Sequence, residues 1–263
     1  MDIFFASDMC IDGLREGMGQ LTCVGGVLVP EESLGALEKN IKAVCESHGV
    51  TGQRDLWPPQ GGMSWDIDVC CSQILAHAAE HGVRGVVALW DGGHAKTDAC
   101  EARNECATCA LDLVARSLDE RQHYGLVVAG GAEGPEAEDG ALRTCFRAAR
   151  DGEGCSHPER ILLDALAARF EYVRLLQLAG IVVGVTACEV AGVIGDTNRL
   201  FQEVKPLLLR NKAGLVGGAG LRIFPNEEIN LYKWVLGETY FSRIDRASGW
   251  FLPRAHFPWD AHG

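Results

Sequence analysis

The sequence predicts an α/β protein with a mixed β-sheet flanked by helices. Apolar segments of strand length alternate along the chain with amphipathic segments of helix length. The first two apolar runs are separated only by a short polar loop that contains glycine, which is typical of neighbouring strands. Alternation after an initial hairpin favours an α/β sheet. The length of 263 residues fits one domain over 1–200 with a C-terminal extension, 201–263, packed on it.

The hairpin that opens the chain is predicted to pair strands 2–8 and 21–30 across a loop at 9–19. The first strand ends at Asp8, so an acid follows a buried strand, where sheet enzymes often keep a catalytic carboxylate. Pro30 and the two glutamates after it suit the start of a helix, which we expect to end near 47–49.

The later elements follow from apolar periodicity and from the glycines and prolines that separate the segments. A strand over 83–90 is followed directly by Asp91. The other predicted elements are helices at 66–81, 101–118, 141–150 and 172–193, strands at 124–129 and 161–166, and a short element at 230–236.

Composition and charge limit the classes of function. Hydrophobic residues make up 47% of the chain and charged residues 23%, as in globular proteins. The net charge of −12 argues against broad nonspecific binding to nucleic acid, but it leaves room for an acidic nuclease with a local basic groove. The longest apolar stretch, 175–193, is interrupted by polar residues, and position 2 is acidic. We therefore expect a cytoplasmic protein without a membrane span; the sequence leaves the oligomeric state open.

Eleven cysteines raise the question of a metal site. Cys100, Cys106 and Cys109, with His94 upstream, have short spacings of the kind that structural zinc sites use. Cys106 and Cys109 also fall three residues apart in a predicted helix, which favours burial against the core. The sequence favours burial and leaves zinc as the alternative.

Four segments, taken in order, carry a resemblance that covers most of the chain. They are 4–8 (Phe-Phe-Ala-Ser-Asp), 25–32 (Gly-Gly-Val-Leu-Val-Pro-Glu-Glu), 174–180 (Arg-Leu-Leu-Gln-Leu-Ala-Gly) and 221–241. In these segments the sequence resembles domain-of-unknown-function family 3800. The resemblance implies a ribonuclease H-like fold and a nuclease or phosphoryl-transfer activity that depends on Mg²⁺ or Mn²⁺. Two divalent ions about 4 Å apart would then clamp a nucleic acid phosphodiester between several carboxylates.

Several of the acids that the resemblance implies are replaced in this chain. Ser7 stands beside Asp8 where the family has a second acid, and Gly130 and Gly180 stand where it has aspartates. Arg54 aligns with a further acid. Loss of this charge predicts a weak metal site or none.

The retained acids define the residues that a surviving site would use. Asp8 and Asp91 would be the catalytic carboxylates and metal ligands, and Asp55, shifted by one position, would be a third ligand. Gln177 would either shape this site or hydrogen-bond a neighbouring element. Two hypotheses follow: a metal-dependent nuclease with a depleted active site, or a non-catalytic binding or interaction module that keeps the fold.

Overall fold

The computed structural model describes residues 1–50, 56, 65–93, 97–131, 141–193, 195–225, 231–242 and 249–252. Helices and strands alternate along these residues, as predicted. The helices are α1 (Leu34–Ser47), α2 (Trp65–Glu80), α3 (Ala99–Glu120), α4 (Ala141–Asp151), α5 (Arg174–Ala191), α6 (Asp196–Val204) and α7 (Leu231–Leu236). The strands are β1 (Asp2–Asp12), β2 (Gln20–Pro30), β3 (Arg84–Asp91), β4 (Gly125–Gly131), β5 (Leu166–Arg169), β6 (Leu221–Phe224), β7 (Tyr240–Ser242) and β8 (Gly249–Phe251).

Six strands form one mixed sheet in the order β5-β4-β1-β2-β3-β6. β1, β2 and β3 pair antiparallel in sequence. β4 pairs parallel with β1, β5 with β4, and β6 with β3. β1 and β3 therefore run in the same direction as β4 and β5, and the carboxyl ends of these four strands lie at one edge of the sheet. The predicted α/β class with a mixed sheet is confirmed.

Helices cover both faces of the sheet, and each face has its own apolar core. α3 and α4 pack on the face to which Phe4 and Ala6 point. α5 packs on the opposite face against β1, β2 and β3, together with α1, α2 and α6. Because side chains alternate along a strand, even-numbered residues of β1 point to the face covered by α3 and odd-numbered residues point to the face covered by α5.

α5 is the central helix on the face of the sheet opposite α3 and α4. Residues from other elements form hydrogen bonds with both of its ends. The Glu38 carboxylate of α1 accepts hydrogen bonds from the backbone N–H groups of Arg174 and Leu175. At the other end, the Arg15 guanidinium donates to the carbonyls of Val190 (2.8 Å) and Glu189 (2.9 Å). An acid at the N-terminus and a base at the C-terminus both complement the helix dipole.

By length and composition, α5 is the one helix in the described ranges that could cross a bilayer. Its most apolar window is 89% buried inside the protein, as in the core helix of a soluble domain.

The residues after position 200 contribute to the same sheet and core. β6 adds a strand beside β3, and Leu231 and Tyr232 of α7 belong to the apolar cluster under α5. The Ile223 N–H donates to the Tyr232 hydroxyl at 2.9 Å, which ties α7 to β6.

Two strands, β1 and β5, differ from those predicted by more than two residues at an end. β1 continues to Asp12 because its backbone pairs with β2 through Asp12 and Gln20, which needs no apolar side chains. The strand predicted at 161–166 is wrong in position: Ile161 makes a single bridge to Gly125, and the β5 ladder begins only at Leu166, opposite Val128. Four residues thus lie between Ile161 and Leu166, whereas two lie between their partners Gly125 and Val128, so the two extra residues form a bulge.

Candidate functional site

Three of the positions where the resemblance implies acids meet at the carboxyl edge of the sheet. Ser7 is in β1, Gly130 in β4 and Gly180 in α5. Ala6 pairs with Ala129, so Ser7 and Gly130 follow at the same level on adjacent strands. A Cβ atom on Gly180 would lie 3.9 Å from the Ser7 hydroxyl oxygen. The fold thus gathers these positions although none of them carries a carboxylate.

The Phe170 ring fills the space among these positions. A Cβ atom built on Gly130 would lie 2.2 Å from Cε2 and 2.5 Å from Cζ of that ring. A Cβ atom on Gly180 would lie 3.8 Å from Cε1, on the other side of the ring. Contacts under 3 Å are steric overlaps, so an aspartate at position 130 and the ring of Phe170 exclude each other in this arrangement.

Gln177 holds the segment that carries Phe170. Its side chain is 3% exposed, and its Nε2 donates to the Phe170 carbonyl at 3.2 Å. The Gln177 Oε1 accepts from Nη1 of Arg174 at 2.6 Å. The hydrogen bond to a neighbouring element that was expected of Gln177 is observed. Through that bond it also fixes the backbone of the aromatic residue in the site.

Asp8 lies on the other face of the sheet from Ser7, beside α3. Arg103 of α3 forms an ion pair with it, with 2.9 Å between Nε and Oδ2. Burial raises the pKa of the Asp8 carboxyl above its ordinary value of 3.8, and the nearby Arg103 charge only partly offsets this. Asp8 is therefore engaged by a cation and lies on the opposite face of the sheet from Ser7 and the Phe170 ring.

Asp91 lies at the end of β3, where it is 1% exposed and accepts hydrogen bonds from two neighbouring loops. Its Oδ1 accepts hydrogen bonds from the N–H groups of Gly19 and Gly93, both at 2.8 Å. A Cβ on Gly19 would lie 2.3 Å from the Gly93 nitrogen, so the two loops approach this closely only because both residues are glycine.

The structure does not bring Asp8 and Asp91 together. Asp8 of β1 lies opposite Val24 of β2, and Val24 lies opposite Ala88 of β3. Asp91 is therefore two strands away from Asp8 and three residues further along β3. Their Cα atoms are therefore about 14 Å apart. Asp91 also shares the α5 face with Leu89, whereas Asp8 shares the α3 face with Ala6. Asp55, the third predicted ligand, lies outside the described residues.

The donor set does not fit a pair of divalent ions. Mg²⁺ and Mn²⁺ in such sites need several converging carboxylate oxygens. The three positions that converge offer a hydroxyl and two hydrogen atoms, with an aromatic ring between them. The two retained acids lie on opposite faces, and each already has partners.

The cysteines of the zinc alternative are split between core and surface. Cys106 is fully buried, and its thiol donates to the Thr22 carbonyl at 3.6 Å, while Cys100 is exposed. Burial raises the pKa of Cys109 to about 12, so loss of its proton to bind zinc would cost more than at an exposed thiol. His94 lies outside the described residues.

One cluster in the described part of the chain has the composition of a metal site. It consists of Asp119, His157 and Glu159, whose ligand atoms lie within 4.8 Å of one another. Arg160 already donates twice to Asp119 Oδ1, at 2.9 and 2.7 Å. A guanidinium so placed competes with a cation for the same oxygen, and ion pairing explains the cluster without a metal.

Comparisons of this chain with protein-family models, with curated proteins and with solved structures found no match. The interpretation of the site therefore depends on the residues and their geometry. Sequence reasoning missed Phe170, because a single aromatic residue after a short strand has no local signal that sets it apart from any core residue.

Proposed function

We propose that this chain is a ribonuclease H-like protein that has lost two-metal phosphodiester chemistry and serves as a non-catalytic binding or interaction module. The observed α/β class, with helices on both faces of a mixed sheet, agrees with the fold that the resemblance implies. The observation that carries the proposal is the Phe170 ring, which occupies the space between Gly130 and Gly180.

The chemistry of the pocket supports the loss of catalysis. A metal-dependent nuclease stabilises the attacking and leaving oxygens with cations that carboxylates hold in place. An aromatic ring supplies no ligand and excludes the water that would complete the coordination of Mg²⁺. The net charge of −12 also repels nucleic acid, except where arginines cluster.

The first test compares the wild-type chain with Asp8→Asn. Calorimetry with Mg²⁺ and Mn²⁺, and cleavage assays on single- and double-stranded DNA and RNA, are expected to detect neither metal binding nor cleavage in either protein. Metal-dependent cleavage by the wild type that Asp8→Asn abolishes would contradict the proposal and support the nuclease hypothesis.

The second test restores the missing site. The variant Phe170→Ala/Gly130→Asp/Gly180→Asp removes the ring and adds two carboxylates beside Ser7. We expect this variant to bind Mn²⁺ when the wild type does not. Phe170→Ala alone is the matched control, because it opens the same space without adding charge. If the restored variant, folded by circular dichroism, binds no more metal than this control, the positions do not form the family's site.

A further inference from the structure

Two cysteines from neighbouring helices meet in the core on the α5 face of the sheet. Cys45 lies in the last turn of α1 and Cys70 lies in α2, and both are fully buried. The Cys70 thiol donates a hydrogen bond to the sulfur atom of Cys45. Both are free cysteines, so the two helices present a dithiol whose sulfur atoms are in contact.

The packing of α1 against α2 holds this dithiol in place. Asn40 Nδ2 lies 3.2 Å from His81 Nε2, and His48 Nε2 lies 3.3 Å from Gln73 Oε1. These two polar contacts lie on either side of Cys45 along α1. Because the helices already bring the two sulfur atoms together, a bond between them requires no rearrangement of the fold.

Cys45 differs from the neighbouring buried cysteine in its electrostatic surroundings. The Cys71 thiol donates to the Leu56 carbonyl at 3.6 Å, and burial raises the pKa of Cys71 to about 12. At Cys45, the hydrogen bond from Cys70 and the nearby Arg174 charge outweigh burial and lower the pKa. The thiolate is the reactive form of cysteine, so Cys45 is the nucleophile of the pair and Cys70 is the partner that resolves it.

We propose that Cys45 and Cys70 form a peroxide-sensitive dithiol, which oxidation converts into a disulfide that joins α1 to α2. The Cys45 thiolate attacks one oxygen of hydrogen peroxide, the O–O bond breaks, and hydroxide leaves and takes up a proton to become water. The Cys70 sulfur then attacks the sulfenic sulfur, the S–O bond breaks, and the oxygen leaves with the Cys70 proton as a second water. The two thiols lose two electrons, and one peroxide gains them.

Hydrogen peroxide suits a buried dithiol because it is small and uncharged. Cys45 is in the last turn of α1, and helix ends open more readily than the core, so local opening admits the oxidant. The pair also adjoins the candidate site, since Arg174 donates to Gln177, which in turn donates to the Phe170 carbonyl. None of the metal-site positions takes part in the oxidation, so its test is separate from the tests of the proposed function.

Peptide mapping of the wild-type protein tests the pair directly. The protein is treated with hydrogen peroxide, alkylated, digested without reductant and analysed by mass spectrometry. We expect a peptide that links Cys45 to Cys70, about 2 Da lighter than its two parts and absent after dithiothreitol. Cys10 and Cys100 are exposed and report that the oxidant acted. Oxidation of these two while Cys45 and Cys70 stay thiols overturns the proposal, and so does a link from Cys45 to Cys71.

Serine variants assign the two roles. Cys70→Ser keeps a hydroxyl donor beside Cys45 but removes the resolving thiol, so dimedone should label a sulfenic acid at Cys45. Cys45→Ser should give neither a disulfide nor a dimedone label at Cys70. Cys71→Ser is the matched control and should form the disulfide as the wild type does.

Two results with folded variants, verified by circular dichroism, would count against these roles. One is a dimedone label at Cys70 in Cys45→Ser as strong as that at Cys45 in Cys70→Ser. The other is loss of the disulfide in Cys71→Ser. The wild-type mapping needs no substitution, so it decides the pairing even where a serine variant does not fold.

Discussion

The mutual exclusion of Phe170 and a side chain at position 130 predicts strong coupling between the two residues. Gly130→Ala places a Cβ atom 2.2 Å from the ring, and such overpacking costs about 2 kcal/mol. Phe170→Ala removes a mostly buried ring and costs about 3 kcal/mol, at the lower end of the range for phenylalanine. Once the ring is gone, the alanine at 130 meets no overlap, so the double variant should lose only about 3 kcal/mol.

Urea denaturation of the four proteins of this cycle measures the coupling as a difference in unfolding free energy. We expect an interaction energy of about 2 kcal/mol, well above the scatter of about 0.5 kcal/mol for independent sites. Gly180→Ala is the control: its Cβ would lie at the ordinary distance of 3.8 Å from the ring, inside a helix. It should stabilise the protein by roughly 0.5–1 kcal/mol, because alanine favours the helix.

The result that would refute this reasoning is additivity. If the losses of Gly130→Ala and Phe170→Ala sum within about 0.5 kcal/mol, the ring does not occupy the space beside position 130. The same conclusion follows if Gly180→Ala destabilises the protein as much as Gly130→Ala does. In either case the structural argument for the loss of the metal site would fail.

Three further predictions concern charged groups in the two faces of the fold. Glu38→Ala removes the carboxylate at the N-terminus of α5 and should lower the unfolding free energy by about 1–2 kcal/mol, measured by urea denaturation. Burial raises the pKa of Asp8 in the folded state, so the folded protein binds this proton more tightly than the unfolded chain. Its contribution to stability should therefore rise as the pH falls from neutral towards 3.8, and Asp8→Asn should lack this rise in denaturation curves taken across that window. Arg199→Met leaves Asp68, 1% exposed, without its ion-pair partner and should cost about 3 kcal/mol, with thermal melts as the measurement.

The elements with a strong apolar pattern could be predicted from the sequence. The hairpin of β1 and β2, and the long helix α5, emerged within a few residues of their observed bounds because continuous burial leaves a continuous apolar run. β5 was placed too early, because Leu-Ala-Ala-Arg has little strand propensity and the apolar run before it forms a bulge. Its position is decided by pairing with β4, which local sequence does not encode.

The candidate site shows the same division between local pattern and tertiary contact. The convergence of positions 7 and 130 follows from parallel strands that end at the same edge of the sheet, and position 180 joins them because α5 packs on β1. The role of Phe170 depends on where the turn after β5 directs the ring, and Gln177 helps to fix that backbone through a contact between α5 and the turn. Asp91 looked like a ligand from its place after a strand, yet its geometry is that of an acid that joins two glycine loops.

A cluster of carboxylates is costly to a folded protein when no cation neutralises it, because like charges in a partly buried pocket repel. A chain that no longer needs metal chemistry gains stability when such acids become small neutral residues and an apolar ring covers them. The pocket of Ser7, Gly130, Gly180 and Phe170 has this composition, while the topology that gathers the positions is intact. Topology depends on the apolar cores on both faces of the sheet, which are selected for folding whether or not the edge is catalytic. The proposed loss of metal chemistry is therefore compatible with a fold that both apolar cores still hold together.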